Sequence, residues 1–279
     1  GVWQTITALL GAGDTPFPIA GGNVGSEGSA LLLPQIVMQG DTPLDEFAPH
    51  LVTVAGVVVA ATYGGWVADL RNAPYTVSML PPARYPEAEA CLARAFWPDP
   101  LFGFFMPDRR KEYSMLPDVF RAFLADAGPF ERTWAATISG EGAAADRVVG
   151  AAVWVPPGGM PRPFRRELMM QLRLGRLLLK GSNLSIGLKL LTAVDKVHPA
   201  EPHWYLALLG TDPAVQGRGV GSALLAPAMQ QADAEGVSCY LETQKEENLP
   251  FYGRHGFEVL HVVSVPGSPT VWGMRRPPR

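Results

Sequence analysis

The sequence predicts a mixed α/β domain running from about residue 71 to residue 279. Three observations carry that expectation. Short apolar or alternating runs such as "YTVSML" (75–80), "RVVGAAVWVPPG" (147–158) and "VSCYLET" (237–243) read as strands. Longer segments with apolar residues at helical spacing, such as 81–96 and 221–236, lie between them. Finally, the glycine-rich stretch "QGRGVG" (216–221) falls between a strand and a helix, where the backbone must turn closely.

Taken in order, the strand at 75–80 is followed by a helix at 81–96, whose Ala90, Leu92, Ala93 and Phe96 form an apolar side. A second helix spans 109–128, with an interruption expected near Pro117, where the ring removes a hydrogen bond. Strands at 131–139 and 147–158 flank a Gly-rich hairpin turn. The apolar helix at 163–181 carries Arg166, Arg173, Arg176 and Lys180 on one side, a solvated basic face or a contact for an acidic partner or membrane surface. A strand at 203–211 leads to the glycine loop, a helix at 221–236, and the strand at 237–243. A short helix around 248–257 and a strand pair at 258–265 and 270–276 complete the chain.

The segment before this domain differs in composition. Residues 1–70 hold six acidic residues and no Lys or Arg, so every basic residue lies from Arg71 onward. Residues 1–72 are therefore assigned to an N-terminal extension of unknown role and 73–279 to the ordered domain. The extension has no basic n-region, which argues against a secretory signal. Its run "FAPHLVTVAGVVVAATYGGWVA" (47–68) has no Asp, Glu, Lys or Arg and is just long enough to span a bilayer. Pro49, His50, the glycines and the β-branched centre fit a packed or loosely attached appendage instead. The net charge of −3 offers no electrostatic case for nucleic acid. Cys91 and Cys239 are far apart and have no metal-ligand spacing, so free thiols in a reducing, cytoplasmic compartment are expected, and no metal.

The glycine loop carries the chemistry. A loop after a strand and before a helix offers backbone N–H groups and the positive helix end to an anion. The spacing G-x-G-x-G fails the dinucleotide fingerprint, and the Gly-Lys-Ser/Thr of a nucleoside-triphosphate loop is absent. A plain structural turn remains open on those grounds. However, "TDP" (211–213) followed by Gln216-x-x-Gly219-x-Gly221 resembles the pyrophosphate signature of the GCN5-related N-acetyltransferase (GNAT) superfamily. The resemblance extends through "EPHWYLALLG" (201–210), "YLET" (240–243), "ENLPFYGRHGFEV" (247–259) and "PTVWGMRRP" (269–277), which look like the puromycin N-acetyltransferase branch. It is close from about Glu201 onward, mainly one of element order over 75–200, and absent over 1–70.

That resemblance implies a central, mostly antiparallel sheet flanked by helices, opening between the strands at 203–211 and 237–243 to admit acetyl-CoA. The coenzyme would meet Leu209, Thr211, Gln216, Gly217, Arg218, Gly219, Val220, Gly221, Ser222 and Asn248. Backbone N–H groups near Leu209 and Thr211 would polarise the thioester carbonyl.

Acyl transfer from a thioester to an amine also needs a proton acceptor for the ammonium and a donor for the leaving thiolate. Strand alternation puts Ser238, Tyr240 and Glu242 on one face. Glu242 could take the ammonium proton directly or through water, and the family pattern assigns a glutamate there as base; a carboxylate paired with Arg or solvent is the alternative. Asn248 and Tyr252 share a helix face. The family pattern makes that tyrosine the acid and brings the Asn to the pantetheine arm, whereas the residues alone allow a core tyrosine and a simple N-cap. The stretch "AFWPDPLFGFFMPD" (95–108) concentrates aromatics. In the family this region walls the acceptor site, so Trp97, Phe102 and Phe105 are substrate-binding candidates, although ordinary core packing fits them equally.

The resulting expectation is direct acetyl transfer from acetyl-CoA to a primary amine of a small molecule, an aminonucleoside such as puromycin among the candidates, with no covalent acyl-enzyme. The alternatives are a peptide N-terminal or lysine acetyltransferase, and a membrane-attached CoA-binding module without turnover.

Overall fold

The computed structural model describes residues 73–97, 99–139, 146–178 and 182–279. The expected extension at 1–72 with its stretch 47–68, the turn at 140–145 and Lys180 lie outside the described residues, as does the side chain of Arg176.

The strands are β1 (Tyr75–Met79), β2 (Thr133–Ile138), β3 (Val148–Val155), β4 (His203–Thr211), β5 (Ser238–Thr243), β6 (Glu258–Val263) and β7 (Val271–Arg276). Among the described residues they form one sheet in the order β1-β2-β3-β4-β5-β7-β6. Every neighbouring pair is antiparallel except β4 and β5, which run parallel. The helices are α1 (Tyr85–Ala95), α2 (Pro100–Phe105), α3 (Arg109–Ala127), α4 (Phe164–Leu178), α5 (Leu184–Val197), α6 (Val220–Glu235) and α7 (Leu249–Arg254).

Both faces of the sheet are covered, which explains why β2 and β3 are wholly buried and, apart from Thr133 and Thr137, apolar. Gly150 pairs with Thr211 and the next residue, Ala151, pairs with Gly210, so the two glycines point to opposite faces. A Cβ on Gly150 would stand 2.9 Å from Leu224 of α6, and one on Gly210 would stand 2.9 Å from Leu92 of α1. Helices α6 and α1 therefore press on opposite faces, each at a position where only hydrogen leaves room. Leu92, Leu116, Phe120, Leu224 and Leu225 are fully buried in this packing, each worth about 1.5–3 kcal/mol relative to exposure.

Two local expectations fail. Helix α3 runs unbroken through Pro117 rather than stopping there. Met115, Leu116, Val119 and Phe120 on either side are buried, and that packing offsets the lost backbone bond. Arg166 does not belong to a solvated basic face. It donates to both carboxylate oxygens of Asp126 at 3.0 and 2.9 Å and lies 4.7 Å from the centre of the Phe130 ring. Pro227 likewise lies inside α6, which continues through it.

Helices α2 and α5 have no counterpart in the sequence reading. Helix α5 starts after Asn183, a residue type that favours helix starts, but this Asn lies in the left-handed region (φ 58°) and its side chain makes no cap. Its other end matters for the site, because His198 follows directly.

Candidate active site

β4 and β5 part company halfway along. Their parallel pairing runs from His203↔Ser238 to Leu206↔Leu241 and stops, although both strands continue. At that point the β3–β4 register skips Ala207, passing from Val153↔Leu208 to Trp154↔Leu206. An extra residue of this kind bends a strand and sharpens its twist, so the bulge carries β4 away from β5. Beyond it, Asp212 N donates to Val149 O at 2.8 Å, toward β3. Successive N–H groups along a strand point to opposite edges, so those of Gly210 and Asp212 serve β3 while those of Leu209 and Thr211 face the gap. These are the two donors expected from the sequence.

The glycine loop stands at the mouth of this gap. Gly217 and Gly219 take φ +78° and +80°, the left-handed region that other residues enter at a cost, and nothing lies within 4 Å of where a Gly217 side chain would begin. Gly219 is the N-cap of α6 and contributes no side-chain cap, and the first helical bond is Ala223 N to Gly219 O at 3.0 Å. The N–H groups of Val220, Gly221 and Ser222 therefore lie uncapped at the positive end of a sixteen-residue helix. This is a fitting seat for a diphosphate. Gln216 folds back toward Thr211 O at 3.4 Å, and the Arg218 guanidinium lies 5.7 Å from the Tyr75 ring centre.

Helix α7 leans on the same helix end. A Cβ on Gly221 would meet the Phe251 ring at 3.2 Å, and Ser222 Oγ is 2.9 Å from His255 Nε2. Tyr252 is 7% exposed, and its hydroxyl has no hydrogen-bond partner among the described residues. Burial, then the charge of Asp99, push its phenol up, so the group stays protonated and can donate. Asn248 stands at the N-cap of α7, but its side chain makes no cap. It donates instead to Thr243 Oγ1 at 3.0 Å, tying α7 to the end of β5.

Glu242 sits where β5 leaves β4, its side chain 11% exposed. Tyr205 OH donates to its Oε2 at 2.7 Å, and His198 Nδ1 is 3.1 Å from its Oε1. Burial opposes the charge, yet hydrogen bonds from His198, Tyr205 and Tyr240 outweigh it and hold the carboxyl below the ordinary glutamate range. Neither Arg nor bulk solvent satisfies this carboxylate, contrary to the plainer sequence alternative. His198 in turn meets His203, Nε2 to Nε2, at 3.1 Å, and Tyr240 OH meets His261 Nε2 at 2.9 Å. His198, His203 and Tyr205 were missed by sequence reasoning. Alternation from His203 to Tyr205, opposite Ser238 and Tyr240, carried a signal for two of them; His198 lies outside any strand and carried none.

On the aromatic segment, Trp97 packs edge-on to Tyr113 with ring centres 5.0 Å apart, and Phe102 packs on Phe96 and Phe120. Phe105 belongs to the core: it is 8% exposed and stands where any side chain on Gly187 of α5 would be, 2.1 Å from the built Cβ. Both cysteines are buried, and burial raises each thiol to about 12, which makes them poor nucleophiles. Among the described residues no group of three or more His, Cys, Asp or Glu is arranged to hold a metal ion. No helix among them is long and apolar enough to cross a membrane.

Parallel strands that part at a bulge, with a glycine-rich helix start beside the opening, make an α/β domain with a cleft suited to a ligand that carries phosphate. Residues 96–257 match the acetyltransferase (GNAT) family, and the chain belongs to it. Members of that family are acetyltransferases that use acetyl-CoA as co-substrate, and the observed sheet is the GNAT fold. The chain is similar to a Corynebacterium glutamicum protein described as a histone acetyltransferase and related acetyltransferase, with a TM-score of 0.54 and 25% identity over 74% of this chain and 97% of that one. It also resembles arylalkylamine N-acetyltransferase 2 from Aedes aegypti (TM-score 0.53, 11% identity, 74% of this chain and 99% of that one). An agmatine N-acetyltransferase gives a TM-score of 0.50 at 16% identity over 72% of this chain and 98% of that one.

Proposed function

We propose that this chain transfers acetyl from acetyl-CoA to a primary amine of a small molecule by direct attack. The observation that carries the reading is the β4–β5 opening, with the uncapped start of α6 at one side and a buried, ionised Glu242 at the other. The diphosphate would rest on the N–H groups of 219–222, the thioester carbonyl on those of Leu209 and Thr211, and the pantetheine arm near Asn248. Glu242 would take the proton of the arriving ammonium, and the free amine would attack the carbonyl. Tyr252 would then donate its hydroxyl proton to the departing sulfur. Trp97 and Phe102 are the candidates for contact with the acceptor's body.

Support for a small amine comes from the two neighbours named for arylalkylamine and agmatine acetylation. An aminonucleoside such as puromycin is the finer proposal, resting on the sequence resemblance over 201–277. A protein lysine is a second reading, favoured by the name of the Corynebacterium neighbour. We further assign the enzyme to residues 73–279 of a cytoplasmic protein, with 1–72 an extension not required for transfer. A panel of amines and a histone-tail peptide, assayed by release of free CoA thiol, separates the acceptor readings. A chain starting near Ala73 that acetylates as the full chain does would support the boundary; a folded but inactive one would put the extension in the site.

A further inference from the structure

Behind Glu242 a chain of contacts leads away from the β4–β5 opening. Glu242 Oε1 is 3.1 Å from His198 Nδ1, His198 Nε2 is 3.1 Å from His203 Nε2, and His203 Nδ1 is 2.7 Å from the backbone carbonyl of Glu201. Each contact needs one proton. The carbonyl can only accept, so His203 Nδ1 donates to it and a neutral His203 leaves Nε2 bare. If His198 donates through Nδ1 to the carboxylate, a neutral His198 also leaves Nε2 bare, and two lone pairs face each other. If it donates through Nε2 instead, a lone pair faces the carboxylate. Three contacts thus require three protons, whereas two neutral imidazoles carry two.

We propose that His198 and His203 form a proton-accepting pair behind Glu242, which together with that carboxylate takes up one proton beyond those of two neutral imidazoles. This rests on the role proposed for Glu242 and extends it. Before it takes up that proton, the chain of carboxylate and two neutral imidazoles has a charge of −1 and one of its three contacts lacks a proton. The substrate ammonium gives its proton to Glu242, becoming the free amine, and the chain becomes neutral. Glu242 O–H then donates to His198 Nδ1, His198 Nε2–H to His203 Nε2, and His203 Nδ1–H to Glu201 O, so every contact is filled. The same three protons also satisfy the arrangement with an imidazolium and an ionised Glu242. His198 and His203 act through Glu242 and are positioning residues.

The surroundings suit one added proton and no more. His203 is 3% exposed, and burial lowers its affinity for a proton, with His198 and Arg275 acting in the same direction and the Glu201 carbonyl and Glu242 opposing. Tyr205 from β4 and Tyr240 from β5 face Glu242 as neutral phenols, burial pushing both up. His261 from β6 meets Tyr240, with its own proton affinity lowered chiefly by burial. The rings of His198 and His203 lie 5.0 Å apart, each packed edge-on to Tyr205 and Tyr240.

Nitrogen-15 histidine spectra of the full chain from about pH 5 to about pH 9 test this without any substrate. The pair is expected to lose one proton in a single step, with the ring shifts of both residues moving at one common midpoint. His203→Phe should abolish the shared step, and Glu242→Gln should lower the common midpoint. Separate midpoints, or two neutral rings throughout, would overturn the proposal; Glu242→Gln decides it should His203→Phe not fold. In kinetics, His203→Phe should lower kcat/KM for the amine about 10-fold or more near neutral pH. The difference should close as pH approaches about 10 and the amine frees itself, with acetyl-CoA affinity unchanged. An equal loss at every pH would mark a merely structural pair. Were no amine acetylated at all, the functional reading would fail while the spectra still decide the shared proton.

Discussion

Tyr205 and Glu242 are joined across two parallel strands by a 2.7 Å hydrogen bond, the phenol donating to Oε2. Because the acceptor is ionised and buried, the bond is worth about 1.5–3 kcal/mol. Tyr205→Phe removes it while keeping the ring. Glu242 has a depressed folded-state pKa, so its stabilising share is present above the unfolded value of about 4.3 and is lost as pH falls through the folded one. The variant should therefore be less stable than wild type by about 1.5–3 kcal/mol at neutral pH. The gap should shrink as the solution is acidified. Urea denaturation at several pH values checks this, and a pH-independent difference would contradict it.

Gly219→Glu should abolish acetyl-CoA binding. It puts a side chain and a negative charge at the N-cap of α6, at φ +80°, where the diphosphate is expected. The left-handed backbone adds about 1–2 kcal/mol of strain, so folding must be verified by circular dichroism. Calorimetry showing wild-type affinity in a folded variant would remove the loop from the donor site.

Tyr252→Phe and Glu242→Gln should fail differently. Tyr252→Phe removes only a hydroxyl that no described residue binds, so kcat should fall roughly 10²–10⁴-fold with acetyl-CoA affinity nearly unchanged. Glu242→Gln should be slowest at low pH, where the amine is protonated, and should recover partly as pH rises. Recovery of both variants by pH alone would argue that neither residue acts as assigned.

Asp126 links α3 to α4 and the segment before it, accepting from Arg166 and from Arg162 at 2.8 Å. Burial opposes its charge, but bonds from the two arginines outweigh this and hold its carboxyl below the usual range. Its contribution is present above about pH 4 and disappears as pH falls through the depressed folded value. Asp126→Asn should cost roughly 3–5 kcal/mol at neutral pH and much less near pH 2, as read from thermal or urea unfolding. An equal cost at both pH values would sink this account.

The glycine loop and its place between a strand and a helix were legible in the sequence. Three glycines between a strand and a helix say that a backbone is being approached, and alternation in "VSCYLET" put Glu242 and Tyr240 on one face, as observed. The opening depends on a single extra residue at Ala207, and no local pattern marks a bulge whose cause is pairing with another strand. His198 reaches Glu242 across 44 positions of chain from just beyond a helix end, so only the tertiary fold reveals it. Pro117 misled for the same reason in reverse: its local cost is real, but buried neighbours decide the outcome. Phe105 and Phe102 share a segment and a residue type, and only the tertiary contact with Gly187 shows Phe105 to be the more deeply packed of the two.

Acetyl transfer to a small amine is tested most directly by incubating the full chain with acetyl-CoA and a panel of primary amines, puromycin, agmatine and an arylalkylamine among them, and following free CoA thiol together with product mass. At least one amine should gain a single acetyl group with stoichiometric thiol release, and Glu242→Gln should slow that same reaction near neutral pH. Tight acetyl-CoA binding with no acetylated product from any amine or peptide would contradict the account.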